Sequence, residues 1–353
     1  MSRFLSTVAR RTEPYVPGEQ LNQPDIIKLN TNESPYPPSP KVLEAIQTAV
    51  NGNTLQRYPS PTADPLRHAI AETYGLTKEN VFVGNGSDEV LAFSFMAFFE
   101  PGKTIKFPAI SYSFYPVYAK LFNIPFDKVP LNEDFTLPKK KFFHSPGGVI
   151  LPNPNAPTSI YAKLDVIEEI LQQNPDQIVI IDEAYIDFAG PSAMKLIGRY
   201  DNLLVIQTTS KSRALAGLRV GFALGQPELI AGLTRIKDSF NSYTVDRLAM
   251  AGATAAFEDH AYFTESTNKV IRTRESAVQT LREIGFDVLP SDANFVFAKP
   301  LHKDAKALYE KLKSRGILVR HFDQEGIRDY LRISIGTDEQ MNTLYSVLTQ
   351  LNR

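Results

Sequence analysis

The chain has 353 residues, of which 43% are hydrophobic and 22% are charged, and its net charge at pH 7 is −1. These values are typical of a globular protein, and the near-zero charge argues against nucleic acid or an anionic membrane as a partner. The absence of cysteine excludes disulfides and thiolate metal sites and favours the reducing cytoplasm as the location. Because one compact core rarely accommodates this length, we predict two domains.

Proline dominates the first segment of the chain, residues 1–38, and predicts an extended N-terminal arm without a long helix. The prolines concerned are Pro14, Pro17, Pro24, Pro35, Pro37 and Pro38. Ser39-Pro40 is typical of an N-cap followed by proline at the first helical position, so a helix is predicted through Val50. Asp64-Pro65 predicts a second helix start of the same kind, and Gly75 predicts its end.

Short apolar runs alternate with helical segments from residue 81 onward. The runs at 149–151, 178–181 and 203–206 are continuously apolar, which indicates strands covered on both faces. The longest apolar stretch, residues 90–99, is too short to cross a bilayer. We therefore predict a large α/β domain over residues 39–250, with a mostly parallel sheet and helices on both of its faces.

The pattern changes after residue 250. A long charged helix is predicted over residues 262–284, ended by Gly285, and a further helix near 304–314. Strands are predicted at 294–298, 316–322 and 330–335, and Thr337 with Gln340 forms a capping box that begins the last helix. These elements predict a small α+β domain over residues 251–353.

Lys211 lies just beyond the third apolar run, where burial disfavours a charged amine unless the lysine has a task. One such task is a Schiff base to an aldehyde cofactor, and Arg219 downstream could then hold the cofactor's phosphate. The alternative for this segment alone is a solvated surface lysine. The five histidines show no metal-ligand spacing, so we predict no metal site.

Asp182 ends the second apolar run, at the edge where ligands bind in open α/β sheets. A buried carboxylate needs a cationic partner, and a protonated pyridine nitrogen would serve as one. Tyr185 could then reach the phenolic oxygen of the same ring. The alternative is an aspartate that only caps the next helix.

Three further segments suit a flat, phosphorylated ligand. Ser87 and Asp88 follow a glycine-rich turn and begin a helix whose free N–H groups favour an anion. Asn155 lies in a proline-rich turn after a predicted strand and could aim its amide inward, and Tyr112 could stack on a ring. The alternatives are a plain turn in the first two cases and core packing in the third.

Arg320 and Arg332 lie on predicted strands of the small domain. The residues on both sides of Arg332 are apolar, so Arg332 faces away from the small-domain core. Two arginines that converge on a cleft would bind a carboxylate or a phosphate of the substrate. The alternative for either arginine alone is a solvated edge-strand residue.

Taken in order, these motifs resemble the fold-type I pyridoxal-phosphate-dependent aminotransferases, and among them most closely the histidinol-phosphate aminotransferases. The resemblance covers nearly the whole chain. It is carried by the segments at 30–40, 57–59, 84–89, 182–185 and 210–219. It implies an α/β large domain with a small α+β domain, pyridoxal 5′-phosphate as cofactor, and a homodimer with shared active sites.

The resemblance also implies roles for single residues. Lys211, Asp182 and Tyr185 would be catalytic, through the Schiff base, the pyridine nitrogen and the ring oxygen respectively. The other cofactor contacts would be Ser87, Asp88, Tyr112, Asn155, Ser210, Arg219 and, from the other subunit, Tyr58. Substrate contacts would be Tyr15, Asn32, Arg320 and Arg332.

Two departures from the family's pattern concern the cofactor. The family's turn usually reads Asn-Pro-x-Asn-Pro-Thr-Gly, whereas here Ala156 precedes Pro157 and Ser159 replaces the glycine. Asn155 must then contact the ring oxygen, or that contact is altered. In addition, Ser212-Arg213 follows the lysine where the family commonly has Ala-Phe.

The reaction that the resemblance implies is amino transfer from L-histidinol phosphate to 2-oxoglutarate in histidine biosynthesis. An aromatic amino-acid aminotransferase would share every cofactor residue. A phosphothreonine decarboxylase would keep the lysine and the aspartate. A cofactor-binding transcription regulator is the alternative from another class, but the sequence shows no helix-turn-helix or basic face.

Overall fold

The computed structural model describes residues 2–15, 18–19 and 25–352. Pro17 and Pro24, on which the predicted arm partly depends, lie outside these ranges. The α-helices described are α1 (Thr7–Arg11), α2 (Pro40–Ala49), α3 (Gly52–Leu55), α4 (Asp64–Tyr74), α5 (Gly86–Phe98), α6 (Tyr115–Leu121), α7 (Leu164–Gln172), α8 (Pro227–Phe240), α9 (Arg247–Glu258), α10 (His260–Glu283), α11 (Ala305–Ser314) and α12 (Asp338–Asn352). Among these helices, none combines the length and the apolar composition that a bilayer-spanning segment needs.

The strands of the described ranges form three sheets. They are β1 (Ile27–Lys28), β2 (Val81–Asn85), β3 (Ile105–Pro108), β4 (Phe126–Val129), β5 (Val149–Pro152), β6 (Val179–Asp182), β7 (Leu203–Thr208), β8 (Val220–Gly225), β9 (Phe286–Val288), β10 (Phe295–Pro300), β11 (Ile317–Leu318), β12 (Arg320–His321) and β13 (Leu331–Ser334). The continuously apolar runs of the sequence correspond to β5, β6 and β7.

The large sheet has seven strands in the order β2-β8-β7-β6-β5-β3-β4. Strand β8 is antiparallel to both of its neighbours, and the other pairs are parallel. On β6, Ile181 packs into a core with residues of α4, α7 and α9, whereas Ile180 packs with residues of α5, α6 and α8. Both faces are therefore covered by helices, which confirms the predicted α/β fold class.

A second, antiparallel sheet has the order β12-β13-β10-β9, and α10, α11 and α12 cover it. Residues of the predicted arm join this region, because β1 pairs in parallel with β11. The arm also contains the short helix α1, which the extended prediction did not include. The limits of 38, 250 and 251 remain our proposal for the domains, and α9 spans the last boundary.

Three of the predicted helix signals agree with the structure. Ser39 caps α2 by accepting a hydrogen bond from the backbone N–H of Lys41, and Gly75 ends α4 with a φ of +66°. Thr337 and Gln340 form the predicted capping box before α12. The prediction of Asp64 as an N-cap was wrong by one residue. Asp64 is the first residue of α4, where its carboxylate favours the positive helix end and pairs with Arg67 at 3.2 Å.

Candidate active site

The carboxyl ends of β5, β6 and β7 open into a cleft of about 320 Å³. The N-terminal segment and strands β12 and β13 form its opposite wall, so the cleft lies between the large sheet and the small one. Most of the site residues predicted from the sequence line it. They are Tyr15, Asn32, Ser87, Asp88, Tyr112, Asp182, Tyr185, Ser210, Lys211, Arg219, Arg320 and Arg332.

Asp182 is the last residue of β6 and is only 5% exposed. Its carboxylate accepts hydrogen bonds from the hydroxyl of Tyr115 at 2.8 Å and from the backbone N–H of Ala184 at 3.3 Å. Burial raises the pKa of Asp182 to about 6, although these two hydrogen bonds lower it. A cation in the cleft would stabilise this carboxylate, because desolvation is the main cause that disfavours its charge.

Lys211 follows β7 and projects into the same cleft. Its Nζ lies 3.3 Å from the carbonyl oxygen of Thr31 and 5.9 Å from the centre of the Tyr185 ring. The Tyr185 hydroxyl accepts a hydrogen bond from Nδ2 of Asn32 at 3.0 Å. The three groups needed for the Schiff-base hypothesis therefore face the same cleft. They are the amine of Lys211, the buried carboxylate of Asp182 and the oriented phenol of Tyr185.

The start of α5 forms the part of the cleft best suited to an anion. Gly86 has a φ of +78°, and a Cβ on it would lie 2.5 Å from Nη2 of Arg219. A Cβ on Gly221 would lie 2.2 Å from the backbone nitrogen of Ser87, so β8 approaches the helix start closely only because residue 221 is glycine. The free N–H groups of the first turn and the Arg219 guanidinium thus face one place.

Two side chains near the start of α5, those of Asp88 and Ser210, already have partners within the protein. The Asp88 carboxylate accepts a hydrogen bond from the Tyr112 hydroxyl at 2.7 Å and pairs with Arg219 at 3.4 Å. Its role is therefore to hold these two residues, and an anion would be met by the backbone rather than by this carboxylate. Ser210 lies within hydrogen-bond distance of Thr208, with 3.0 Å between the two hydroxyl oxygens.

Arg320 and Arg332 lie opposite each other in the register of β12 and β13. Arg332 donates to the carbonyl oxygen of Asn30 at 2.8 Å, while its buried Nε has no hydrogen-bond partner among the described residues. Burial lowers the pKa of Arg332, and the nearby Arg320 lowers it further. Two close guanidinium groups with unused donors favour a ligand with negative charge.

Aromatic side chains surround these arginines. The guanidinium of Arg332 lies 5.4 Å from the ring centres of both Phe295 and Phe322. Tyr15, which also lines the cleft, stacks on Phe114 with 4.3 Å between the ring centres. The cleft therefore combines a positive patch with flat apolar surfaces.

Two predicted cofactor residues do not line this cleft. Asn155 donates from Nδ2 to the carbonyl oxygen of Ile110 at 3.1 Å and to the Thr158 hydroxyl at 2.8 Å, and it borders a separate cavity. These local hydrogen bonds turn its amide away, and Ala156 lines the cleft instead. The prediction that Asn155 approaches the ring oxygen therefore needs correction.

Tyr58 is 78% exposed and stacks on Tyr243 with 4.6 Å between the ring centres. Its predicted contact comes from a second subunit, and the fold of one chain does not test that contact.

Sequence reasoning did not identify several residues of the site. Tyr115, Thr31 and Thr208 contact the predicted residues, but the sequence pattern assigned none of the three a role in the site. Tyr115 is 67 positions from Asp182, so only the tertiary fold brings the two together. The spacing of motifs along the chain carries no signal for such a pair.

The residues present fit pyridoxal phosphate. The ligand's ring nitrogen, when protonated, would supply the cation that the buried Asp182 carboxylate favours. Its phosphate would match the start of α5 with Arg219, and its aldehyde would match the Lys211 amine. One site thus provides a partner for each of the three functional groups.

Comparison with known proteins identifies the family. The sequence model of the family described as "Aminotransferase class I and II" matches residues 24–348. The chain is 59% identical to histidinol-phosphate aminotransferase 1 of Oceanobacillus iheyensis over 344 residues, which cover 98% of this chain and 97% of that protein. It is 55% identical to histidinol-phosphate aminotransferase of Clostridium beijerinckii, with 99% of this chain and 97% of that protein covered.

Solved structures agree with this comparison. The crystal structure of histidinol-phosphate aminotransferase from Sinorhizobium meliloti in complex with pyridoxal-5′-phosphate has a TM-score of 0.88 at 25% identity, covering 100% of this chain and 98% of that one. Aspartate aminotransferase from Thermus thermophilus with maleate, at 19% identity and a TM-score of 0.81, covers 99% of this chain and 100% of that one, and shows the fold alone. The chain belongs to the class I and II aminotransferases and is a transaminase that depends on pyridoxal phosphate.

Proposed function

We propose that this transaminase moves the amino group of L-histidinol phosphate to 2-oxoglutarate, which yields imidazole acetol phosphate and L-glutamate in histidine biosynthesis. The arginine pair of the cleft is the observation that carries the proposal, because the donor bears a phosphate and the acceptor bears two carboxylates. The names of the relatives at 59% and 55% identity support the same donor. We place the reaction in the cytoplasm, in keeping with the cysteine-free composition.

Each residue has a part in this proposal. Bound pyridoxal phosphate supplies an electron sink for the carbon that bears the amine. The Nζ of Lys211 takes a proton from that carbon as a base and returns it as an acid. The Asp182 carboxylate holds the charge of the ring nitrogen, and the start of α5 with Ser210 and Arg219 holds the phosphate.

The substrate would lie between the aromatic surfaces and the arginines. Arg320 and Arg332 bind and orient its anionic end, and Tyr15 covers the imidazole side of the cleft. The buried setting of Arg332 strengthens this interaction, because fewer water molecules screen the charges.

We expect kcat/KM to be highest for L-histidinol phosphate when it is compared with L-histidinol, phenylalanine and tyrosine, all with 2-oxoglutarate. Since the phosphate adds charged hydrogen bonds, its presence should raise kcat/KM over L-histidinol by roughly 10- to 100-fold. A steady-state assay of the glutamate formed measures this preference. Higher kcat/KM for phenylalanine or tyrosine would contradict the proposed donor while leaving the transaminase chemistry in place.

The variant Arg320→Gln connects this preference to the cleft. It should lower kcat/KM for L-histidinol phosphate far more than for L-histidinol, because only L-histidinol phosphate has the phosphate group that Arg320 would bind. Arg328→Gln is the matched control, since Arg328 is an exposed arginine of the same region outside the cleft lining. The two donors should be affected equally in that control.

We further propose that the protein acts as a homodimer. Large apolar side chains are exposed on α2, on α3, at the end of α8 and in the adjoining loops, and they are Leu43, Val50, Leu55, Tyr58, Phe240 and Tyr243. Helix α2 packs against α9, whose Arg247 donates to the backbone oxygen of Tyr58 at 3.1 Å, and Tyr58 stacks on Tyr243, so these segments are neighbours. Exposed apolar patches of this kind mark interaction sites.

We expect sedimentation of the purified protein at micromolar concentration to give twice the mass of one chain. The variant Tyr58→Asp should shift the protein towards the single-chain mass, because the new charge would be buried in the interface. A fully active protein with the mass of one chain would contradict the shared-site dimer.

A further inference from the structure

The hydroxyl of Tyr185 is held by a side chain from a distant part of the sequence. Nδ2 of Asn32 donates to it at 3.0 Å, across 153 sequence positions. Asn32 is only 1% exposed, and its φ of +56° is a left-handed conformation that asparagine tolerates better than most residues. Asn32 lies between β1 and α2, whereas Tyr185 follows β6.

The small domain fixes which end of the Asn32 amide faces Tyr185. The Ser334 hydroxyl oxygen accepts the backbone N–H of Asn32 at 2.9 Å, and the same hydroxyl donates to Oδ1 of Asn32 at 3.0 Å. Asn294 adds a hydrogen bond from its Nδ2 to the backbone oxygen of Asn32 at 2.9 Å. With Oδ1 bound to Ser334, only Nδ2 remains to meet the tyrosine.

This orientation leaves the proton of Tyr185 for the cleft. A phenol that accepts one hydrogen bond still has one proton to donate, and none of the residues within 2–15, 18–19 and 25–352 accepts it. The neighbouring wall offers no other hydrogen-bond donor, because Ala156 has only a methyl group there and Nδ2 of Asn155 already donates to Ile110 and Thr158. Tyr185 is thus an oriented donor.

We infer that Asn32 is a positioning residue that acts through Tyr185, and not a residue that binds the substrate. It keeps the phenol in the donor orientation, so that Tyr185 donates to the ring oxygen of pyridoxal phosphate. The inference rests on the proposed role of Tyr185 at that oxygen. It explains how a chain with Ala156 in place of the family's asparagine still presents a fixed donor at this wall.

The test is a pH titration of the holoenzyme without substrate. The quantity measured is the midpoint, which is the pH at which half of the absorbance change of the cofactor bound to Lys211 has occurred. A donor to the ring oxygen lowers the basicity of that oxygen and so weakens its hold on the neighbouring imine proton. Tyr185→Phe should therefore raise the midpoint by about one pH unit. Asn32→Gly, which keeps the left-handed backbone unstrained, should raise it by roughly half as much.

The double variant decides how Asn32 acts. Asn32→Gly should have no further effect on the midpoint when Tyr185 is already replaced by phenylalanine, since its partner is gone. Asn32→Asp should raise the midpoint more than Asn32→Gly does, because the carboxylate would accept the phenol proton and turn it away from the cleft. The effect of the new negative charge alone on the midpoint is measured by introducing Asn32→Asp into the Tyr185→Phe variant. This effect is then subtracted from the shift that Asn32→Asp causes in the wild type.

Asn174→Ala is the control for a purely structural loss. Asn174 is a buried asparagine that bonds to Ser145 and Phe142, away from the cleft. It should lower the melting temperature and leave the midpoint unchanged. Should an Asn32 variant fail to fold, Ser334→Ala removes the hydrogen bond that orients the amide and should raise the midpoint by a few tenths of a pH unit.

Two results would overturn the inference. One is an unchanged midpoint in Asn32→Gly and Ser334→Ala, with a raised KM for the donor as the only defect of Asn32→Gly, as expected of a substrate-binding residue. The other is a shift caused by Asn32→Gly that is equally large in the wild type and in the Tyr185→Phe background. Failure of the proposed role of Tyr185 looks different, because Tyr185→Phe would then leave the midpoint of the wild type unaltered.

Discussion

Replacing Lys211 by alanine is expected to abolish transamination and the absorbance of the covalently held cofactor. The amine both attaches the cofactor and moves the proton, and a positioned acid–base group alone contributes about 10²- to 10⁴-fold to a rate. We therefore expect kcat to fall by at least ~10⁴-fold, at the upper end of that range. Stopped assays of glutamate formation and an absorbance spectrum of the purified variant measure the two effects.

Two further variants separate the amine from its charge. Lys211→Arg keeps a positive charge in the cleft but should be as inactive as Lys211→Ala, because a guanidinium stays protonated and is not a nucleophile. Lys195→Ala removes a lysine outside the cleft lining and should keep both activity and absorbance. Substantial activity in Lys211→Arg would show that the site needs only the charge.

Replacing Asp182 by asparagine is expected to have the second largest effect. The variant keeps the shape of the side chain, but the protonated ring nitrogen loses its counter-charge. Breaking a buried charge pair costs about 3–5 kcal/mol, so turnover should fall by roughly 10²- to 10⁴-fold. The dissociation constant for pyridoxal phosphate, measured by fluorescence titration of the cofactor-free protein, should rise as well.

Although Asp182→Asn weakens cofactor binding and turnover, it should make the cofactor-free protein more stable above about pH 6. Burial raises the pKa of Asp182 from 3.8 to about 6, so the cofactor-free folded protein binds a proton that the unfolded chain has released between these values. The free energy of unfolding therefore falls by up to ~3 kcal/mol as pH rises from about 4 to about 6, and stays low above that. Asp182→Asn removes this loss, and urea denaturation at several pH values measures it.

Glu183 provides the matched control. It is adjacent in sequence, equally buried, and burial raises its pKa to about 7, but it bonds to Ser192, Ala193 and Gln207 and does not line the cleft. Glu183→Gln should flatten the loss of stability between about pH 4.5 and pH 7 without weakening cofactor binding. Equal losses of cofactor affinity in both variants would contradict the special role of Asp182.

Much of the large domain could be predicted because strands that are buried on both faces have a recognisable sequence. Strands β5, β6 and β7 are continuously apolar, and a parallel arrangement follows from that. The reversed direction of β8 could not be predicted, since β8 is buried along its whole length just as β6 and β7 are, and those two strands pair in parallel. The pairing of β1 with β11 also has no local signal, because it joins segments at opposite ends of the chain.

The same distinction holds for the candidate site. Lys211 and Asp182 could be proposed because one follows a buried strand and the other ends one, but only the order of all the motifs along the chain favoured a catalytic role over a surface lysine and a helix cap. The prediction for Asn155 needed correction because it concerned the direction of a side chain. The direction of a side chain in a turn depends on backbone angles and local hydrogen bonds, and these do not appear in the pattern of residue types. The contact between Asn32 and Tyr185 depends on the meeting of three separate segments.

In the proposed mechanism, the amine of Lys211 is the group that binds the cofactor covalently. Borohydride reduction of the holoenzyme, followed by digestion and mass spectrometry of the peptides, tests it directly. We expect the reduced pyridoxyl phosphate group on the peptide that contains Lys211, with that lysine as the modified residue. A modified lysine elsewhere, or a reduced holoenzyme without any modified lysine, would contradict the account.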